Sequence, residues 1–279
     1  MPRSGSLVQT GALLVGLLFV VTVLWGAVQP RDAAPEDVVK KYHLYPEQVA
    51  WEHNGAGNLG VFGTFDRAQL QRGFQVFREV CSACHSLNRI AFRDLSALGY
   101  SEAEVKAIAA EYEVDALDEY GDVIKKPATP ADKFPLVYAN EVAARSAQGG
   151  ALPPDLSLIT KARPDGTNYL RSLMLGYRDE VPSDFQKPDT LYYNPWFHSL
   201  AIAMPPPLSD ERVEYADGTK GTMDNYASDI AVFLTWAAEP KLEERKERGV
   251  AVIAFLFILT ILGYLSYKKV WRDLKKKPA

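Results

Sequence analysis

Residues 81–85 read Cys-Ser-Ala-Cys-His, and Cys81 and Cys84 are the two cysteines of this 279-residue chain. Two thiols separated by two residues and followed at once by an imidazole are typical of covalent haem attachment. The thiols bond to the porphyrin vinyl groups, and the imidazole binds the iron. The motif therefore predicts one covalently attached haem c, with His85 as an iron ligand, and an exported chain that carries electrons.

Two other uses of a Cys-x-x-Cys pair fit the sequence less well. A structural zinc site needs a second pair of ligands, and the chain has no second pair of cysteines. A thioredoxin-like dithiol needs a βαβ context, and the apolar pattern around residues 81–85 does not have one.

The second axial ligand of the iron must come from another segment. A methionine sulfur raises the reduction potential and closes the iron to outside ligands. Met204 lies in Ala-Ile-Ala-Met-Pro-Pro-Pro, residues 201–207, where three prolines stiffen the backbone around a thioether. From the residues alone His43, His53, His198 and an open sixth position remain alternatives.

A C-terminal apolar stretch predicts a membrane anchor. Residues 249–267 contain no charge in nineteen positions, close to the roughly 20 residues that span a bilayer. Six Lys and Arg follow against one acid, which places the tail in the cytoplasm. We therefore expect residues 241–279 to form a C-terminal transmembrane anchor with a basic cytoplasmic tail.

A second apolar stretch, residues 11–28, follows a single arginine. It is typical of an export signal, but its cleavage pattern is poor, so a cleaved signal peptide and an uncleaved signal anchor both stay open for residues 1–30. It lacks the Arg and Ser enrichment of a mitochondrial targeting segment. We expect a bacterial inner membrane, with residues 31–240 forming a periplasmic cytochrome c domain.

The exported domain is acidic. Residues 31–240 contain 20 Lys and Arg against 31 Asp and Glu, a net charge of −11, and residues 102–122 hold eight carboxylates and one lysine. A surface of one sign attracts a basic partner in a salt-sensitive way. The same sign argues against nucleic acid as a partner.

Apolar spacing and capping signals predict a mainly α chain with long loops. Asp66 caps a helix that leads into the haem motif, and a capping box at Ser101 predicts a helix through about residue 112. We expect short helices near 140–147 and from 167, and a longer one over 223–238 that carries Met223 as a core residue. Prolines mark residues 120–164 and 182–207 as loops, and few strands are expected.

Several segments, in this order along the chain, resemble the cytochrome c1 family. They are residues 80–86, 150–157 (Gly-Ala-Leu-Pro-Pro-Asp-Leu-Ser), 191–195 (Leu-Tyr-Tyr-Asn-Pro), 201–207, 217–219 and 236–240 (Trp-Ala-Ala-Glu-Pro). The resemblance implies a class I cytochrome c-like helical haem domain with a C-terminal transmembrane helix. The chain departs from many members in having no second cysteine pair, and its segment before residue 60 is longer than the resemblance leads us to expect.

The resemblance also implies a ligand set. His85 and Met204 are the axial ligands, and Arg163 pairs with a haem propionate, for which a guanidinium offers two parallel donors. The residues that match pocket-lining positions are Pro153, Pro154, Ile159, Tyr169, Leu173 and Phe197.

The function that the resemblance implies is one-electron transfer from a Rieske iron–sulfur protein, through the haem, to a cytochrome c. The chain would work with cytochrome b in a dimeric, quinol-oxidising respiratory or photosynthetic bc1 complex, and would not be an enzyme in isolation. Other readings are a haem enzyme with an open iron site, a purely structural anchor, and a membrane-anchored haem c subunit of a terminal oxidase.

Overall fold

A computed structural model of the chain describes residues 4–29, 37–51 and 63–272. It divides into two compact units, Met1–Lys41 and Tyr42–Ala279. The first contains helix α1 (Ser4–Val28) and the start of helix α2 (Val38–Tyr42). Within α1, Gln9–Val28 is long and apolar enough to cross a membrane, a property that a signal sequence shares. Both alternatives for residues 1–30 therefore remain predictions.

The second unit is built mainly from helices. They are α3 (Arg67–Glu79), α4 (Glu102–Ala110), α5 (Glu141–Ala147), α6 (Gly166–Leu175), α7 (Met223–Ala238) and α8 (Leu242–Trp271), with 3-10 turns at Cys81–Ala83 and Phe92–Leu98. Strands β1 (Glu113–Leu117) and β2 (Val123–Pro127) form one antiparallel pair, and β3 (Tyr192–Tyr193) and β4 (Ala201–Ile202) form another. The mainly α prediction is confirmed.

The core lies where α3 crosses α7, and α6 packs against α7 as well. Phe74 and Phe77 of α3 face Phe233 of α7 with ring centroids 5.6 and 5.9 Å apart. The helices meet at Gly73, where a Cβ atom would stand 2.2 Å from the carbonyl oxygen of Asp229. A residue without a side chain is needed there because the two backbones touch.

A buried ion pair lies beside this crossing. Arg72 Nε donates to Asp229 at 2.9 Å, and Asp229 is only 3% exposed. The Tyr215 hydroxyl donates to the same carboxylate at 2.7 Å, and Asp217 accepts from Arg72 Nη1 at 3.0 Å. Although burial opposes its charge, the two carboxylates raise the pKa of Arg72 above its usual value.

Several helices begin where their capping residues predict. Asp66 accepts a hydrogen bond from the backbone N–H of Ala68 at 2.9 Å, so α3 starts at Arg67. Ser101 and Glu104 form the predicted capping box of α4. The bounds of α7 agree with the prediction, and α6 begins one residue earlier than predicted.

The β1–β2 hairpin differs from the prediction. Helix α4 ends at Ala110 rather than near 112, and the hairpin occupies a stretch whose second half was expected to be loop. In β1, half-buried and exposed residues alternate, but the apolar Leu117 falls on the exposed side, and all five residues of β2 are exposed. The pair therefore carries only a weak form of the apolar alternation that identifies a strand with one buried face. Its register is supported instead by backbone pairing and by an exposed ion pair between Asp115 and Lys125.

The chain passes directly from α7 into α8. Leu242, the first residue of α8, is 3% exposed and belongs to the core, whereas the apolar residues that follow are exposed along their length. Helix α8 is long and apolar enough to cross a membrane, and none of its most apolar 18-residue segment is buried inside the protein. The predicted C-terminal apolar helix is confirmed.

Candidate haem-binding site

The five-residue haem motif forms one tight turn at the end of α3. The backbone N–H groups of Cys84 and His85 both donate to the carbonyl of Cys81, at 3.2 and 2.9 Å. The Ser82 hydroxyl donates to the Arg78 carbonyl at 2.6 Å and fastens the turn to the helix. Both cysteines are free thiols and half-buried. The turn therefore gathers two thiols and one imidazole within five residues.

The imidazole of His85 is oriented by one backbone group. Its Nδ1 lies 2.8 Å from the carbonyl oxygen of Pro154. A carbonyl can only accept, so Nδ1 carries the proton and Nε2 keeps its lone pair. Burial lowers the pKa of His85, although the Pro154 hydrogen bond and the charge of Asp155 oppose that shift. A neutral imidazole with a free Nε2 is the form that binds iron.

The loop that supplies Pro154 is joined to the residues just after His85. The N–H of Asn88 donates to Asp155 at 2.9 Å, and the N–H of Leu156 donates to the Ser86 carbonyl at 2.9 Å. The fully buried Ser157 accepts from the N–H of Arg89 at 3.1 Å. These bonds explain in physical terms why the block at 150–157 accompanies the haem motif.

Two residues that the sequence did not single out reach the second cysteine. The side-chain amide of Gln148 lies 3.5 Å from Cys84 Sγ and donates to the Tyr138 hydroxyl at 2.6 Å. Tyr138 lies just before α5 and Gln148 is the C-cap of that helix, and neither position carries a sequence signal that marks it as part of the site. Burial, and then the neighbouring Cys84, raise the pKa of the Cys81 thiol to about 12.

Helix α6 and the residues before it carry another group of candidates. Arg163 donates to the Ala162 carbonyl at 3.0 Å and contacts the Tyr169 hydroxyl. Burial raises the pKa of Tyr169, and Arg163 opposes that shift. Ile159 and Leu173 are buried, at 8% and 6% exposure. Arg163 itself is half-buried.

Met204 follows β4 in the loop that the sequence singled out, and it is half-buried. Its carbonyl accepts a hydrogen bond from the Tyr177 hydroxyl at 3.1 Å. Burial, with Tyr169 and Tyr192 nearby, raises the pKa of Tyr177 above its usual value. Phe197 is half-buried and packs on the exposed ring of His198 at 4.3 Å between centroids.

The predicted residues thus fall into local groups. His85 meets Pro154, which is exposed beside the half-buried Pro153, and Tyr169 meets Arg163. That His85 and Met204 face each other across one iron stays a prediction. Among the histidine alternatives, His43 packs edge-on against Tyr45, and His53 lies outside the described residues.

The donor set fits a haem. Two free thiols and an imidazole with an open Nε2 lie on one turn, and buried apolar side chains nearby supply the low dielectric that such a cofactor requires. A zinc site fits less well, because within residues 4–29, 37–51 and 63–272 no group of three or more His, Cys, Asp or Glu side chains is placed to hold a metal ion by itself.

Comparison with known proteins gives a consistent result. The model of the cytochrome C1 family matches residues 51–274. Cytochrome c1 of Rhodospirillum rubrum is 47% identical over 272 residues, which cover 92% of this chain and 95% of that protein. The mitochondrial cytochrome c1 heme protein of Saccharomyces cerevisiae is 44% identical, over 85% of this chain and 75% of that one. A cytochrome b-c1 complex catalytic subunit of Candida albicans is 44% identical, over 85% and 81%.

Proposed function

Because the chain belongs to the cytochrome c1 family, we propose that Cys81 and Cys84 attach a haem through thioether bonds and that His85 and Met204 bind its iron. The hydrogen bond between His85 Nδ1 and the Pro154 carbonyl carries this proposal. It fixes the ring and its tautomer, and it raises the basicity of the nitrogen that would face the iron.

Relatives at 41–47% identity are named as cytochrome c1 or as a cytochrome b-c1 complex subunit. The chain is therefore an electron-transfer haem subunit of the bc1 complex. When bound, the haem supplies one-electron redox chemistry. We propose a Rieske iron–sulfur protein as donor, a cytochrome c as acceptor, and cytochrome b as neighbour in a dimeric complex. No substrate bond forms or breaks at this subunit, so it is not an enzyme in isolation.

The residues around the turn have two tasks in this proposal. The guanidinium of Arg163, close to the Tyr169 hydroxyl, would neutralise a haem propionate by charge-assisted hydrogen bonds. A set of pocket-lining residues would exclude water and so favour the reduced form of the haem, which carries less charge at the iron. That set comprises Pro153, Pro154, Ile159, Leu173 and Phe197.

The two apolar helices and the charge distribution guide the proposed location. We place the chain in a bacterial inner membrane, with α8 as the anchor, residues 31–240 in the periplasm and the basic tail after residue 267 in the cytoplasm. The bounds 1–30, 31–240 and 241–279 remain our proposal for the domains. The exposed β1–β2 hairpin lies within the acidic stretch 102–122 and just beyond it, where it would draw in a basic cytochrome c.

Replacement of the sulfur ligand tests the proposal. In the assembled complex, Met204→Ala should lower the haem midpoint potential, because methionine ligation raises it, and should let carbon monoxide bind the reduced iron. The pyridine haemochrome and the intact mass should still report one covalent haem. His198→Ala, which removes the exposed imidazole that packs on Phe197, is the control and should leave the midpoint potential and carbon monoxide binding unchanged.

Three results would reject the assignment. If Met204→Ala changes neither the midpoint potential nor the binding of carbon monoxide, another residue, or none, occupies the sixth position. A large change in His198→Ala alone would transfer the role to that imidazole. An intact mass without the added haem would end the proposal of covalent attachment.

A further inference from the structure

The backbone of Met204 is held by a side chain. Strand β4 ends at Ile202, so the carbonyl of Met204 lies beyond the strand ladder. It accepts from the hydroxyl of Tyr177 at 3.1 Å. Tyr177 stands two residues past the end of α6 and 27 residues before Met204 in the chain. The bond therefore ties the methionine loop to a different element.

The position of Tyr177 is itself fixed by close packing at the end of α6. A Cβ atom at Gly176 would stand 2.6 Å from Trp196 Cε3 and 2.7 Å from Asn194 Oδ1. The Asn194 amide donates to the carbonyl of Leu173 at 2.8 Å. Just after Tyr177, the N–H of Arg178 donates to the Tyr193 carbonyl at 3.2 Å. The tyrosine thus has an anchored residue on each side.

Helix α6 is in turn held on two faces. On one face, the Thr167 hydroxyl meets that of Thr235 on α7 at 2.7 Å. On another, residues 44–51 run along the helix as a strap. The N–H of Glu47 donates to Ser172 Oγ at 2.9 Å, and the indole of Trp51 donates to Asn168 Oδ1 at 2.9 Å. A tyrosine at the end of so constrained a helix is a rigid support.

The chain on the far side of Met204 is stiff as well. Pro205 to Pro207 have fixed φ angles, and the next residue, Leu208, is 6% exposed and packs in the core. With the downstream backbone restricted, one hydrogen bond at the Met204 carbonyl is enough to define the direction of its peptide plane. The Cα–Cβ bond, from which the thioether side chain extends, follows that plane.

We infer that Tyr177 is a positioning residue for Met204: its hydroxyl holds the Met204 carbonyl so that the thioether is presented to the iron. The inference rests on the proposed function, since it takes Met204 as the sulfur ligand. The phenol acts through the backbone and touches neither the iron nor the sulfur.

The variant Tyr177→Phe removes this hydroxyl and keeps the ring. Loss of one hydrogen bond of ordinary net strength should raise the fraction of molecules with detached sulfur by about fivefold. An added imidazole competes for the vacated position, so its apparent affinity for the oxidised complex should rise by the same factor of about five. The midpoint potential should fall by less than in Met204→Ala.

Tyr226→Phe is the matched control. Its hydroxyl also donates to a backbone carbonyl, that of Val213 at 2.5 Å, but from a fully buried position on α7. This variant should lose stability while keeping the imidazole affinity and potential of the parent. In the Met204→Ala background, Tyr177→Phe should have no further effect on imidazole binding, because no sulfur remains to be positioned.

The outcomes separate the two proposals. If Met204→Ala changes imidazole affinity and Tyr177→Phe does not, methionine ligation stands and the positioning role is overturned. An equal rise in Tyr226→Phe also overturns it, because the effect would then be a general loosening of the fold. If Met204→Ala itself leaves imidazole affinity and potential unchanged, the proposed ligand fails, and the role of Tyr177 fails with it.

Discussion

The variant Gly73→Ala should weaken the central helix crossing. The new Cβ would stand 2.2 Å from the Asp229 carbonyl oxygen, 2.8 Å from its carbon and 2.6 Å from Phe233 Cβ. Two of these atoms are backbone of α7, so the clash cannot be relieved by rotation of a side chain. The helices would have to move apart, and the neighbouring pair of Arg72 with Asp229 would lengthen with them.

The magnitude follows from two opposing effects. Alanine in place of glycine in a helix gains about 1 kcal/mol of intrinsic propensity. Overfilling a packed core costs roughly 1–3 kcal/mol, and an obstacle made of backbone places the cost at the upper end. The free energy of unfolding should therefore fall by about 2 kcal/mol, from the difference of these two values.

Urea unfolding of the full-length holoprotein in detergent, followed by tryptophan fluorescence, measures this change. The midpoint should fall while the slope with urea stays constant, since the surface exposed on unfolding is unchanged. Gly249→Ala is the control, because a Cβ at this helical glycine of α8 meets nothing within 4 Å. A Gly73→Ala protein as stable as the parent, or a Gly249→Ala protein equally weakened, would refute the reasoning.

Three further changes have expected outcomes. Asp229→Ala should lower the free energy of unfolding in urea by about 3 kcal/mol. This is the lower end for a broken buried ion pair, because Arg72 keeps its second partner, Asp217. A decrease of less than half that value would mean that the Arg72–Asp229 pair is better solvated than its burial indicates. Asp66→Ala should remove the N-terminal cap of α3 and cost about 1 kcal/mol in the same assay, whereas Asp66→Asn should retain most of the stability. Hydrogen bonds from neighbouring hydroxyl and N–H groups lower the pKa values of Glu104 and Asp132. Their contribution is therefore present above the ordinary carboxylate pKa and lost as the pH falls through the lowered values, so the urea midpoint should fall on acidification, and by less in a Glu104→Gln, Asp132→Asn double variant.

Local signals in the sequence identify the elements that depend on local physics. The cap at Asp66 and the apolar spacing of Phe74 and Phe77 predict α3, and the capping box at Ser101 predicts the start of α4. The turn at residues 81–85 is local too, since the N–H groups of Cys84 and His85 donate to the Cys81 carbonyl and the Ser82 hydroxyl donates to the carbonyl four residues earlier. In each case the forces that fix the structure act within a few residues.

The residues that surround the turn at 81–85 come from segments far away in the chain, and the sequence could not predict these contacts. The Pro154 carbonyl lies 69 residues from His85, and Gln148 lies 64 residues from Cys84. The strap at residues 44–51 bonds to α6 through the backbone N–H of Glu47 and the side chains of Gln48 and Trp51, a pattern with no periodicity. The bond from Tyr177 to Met204 likewise joins two loops, and a tyrosine in a loop has no distinguishing sequence signal.

Helix α3 also sets where the turn at residues 81–85 stands relative to α8. At its start, the N–H of Phe65 and the guanidinium of Arg67 both donate to Glu243, in the first turn of α8, at 2.5 and 2.6 Å. The helix has 13 residues, which corresponds to about 20 Å at a rise of 1.5 Å per residue. Its other end leads straight into Cys81.

Backbone contact with α7 at Gly73 prevents α3 from sliding along its own axis. The turn at residues 81–85 is therefore held about 20 Å along α3 from the first turn of α8 by one continuous helix. Packed helices deform less readily than loops. In the function proposed above, a mobile donor and a mobile acceptor would then meet the turn at a constant distance from the first turn of α8. Movement during electron transfer would have to come from these partners.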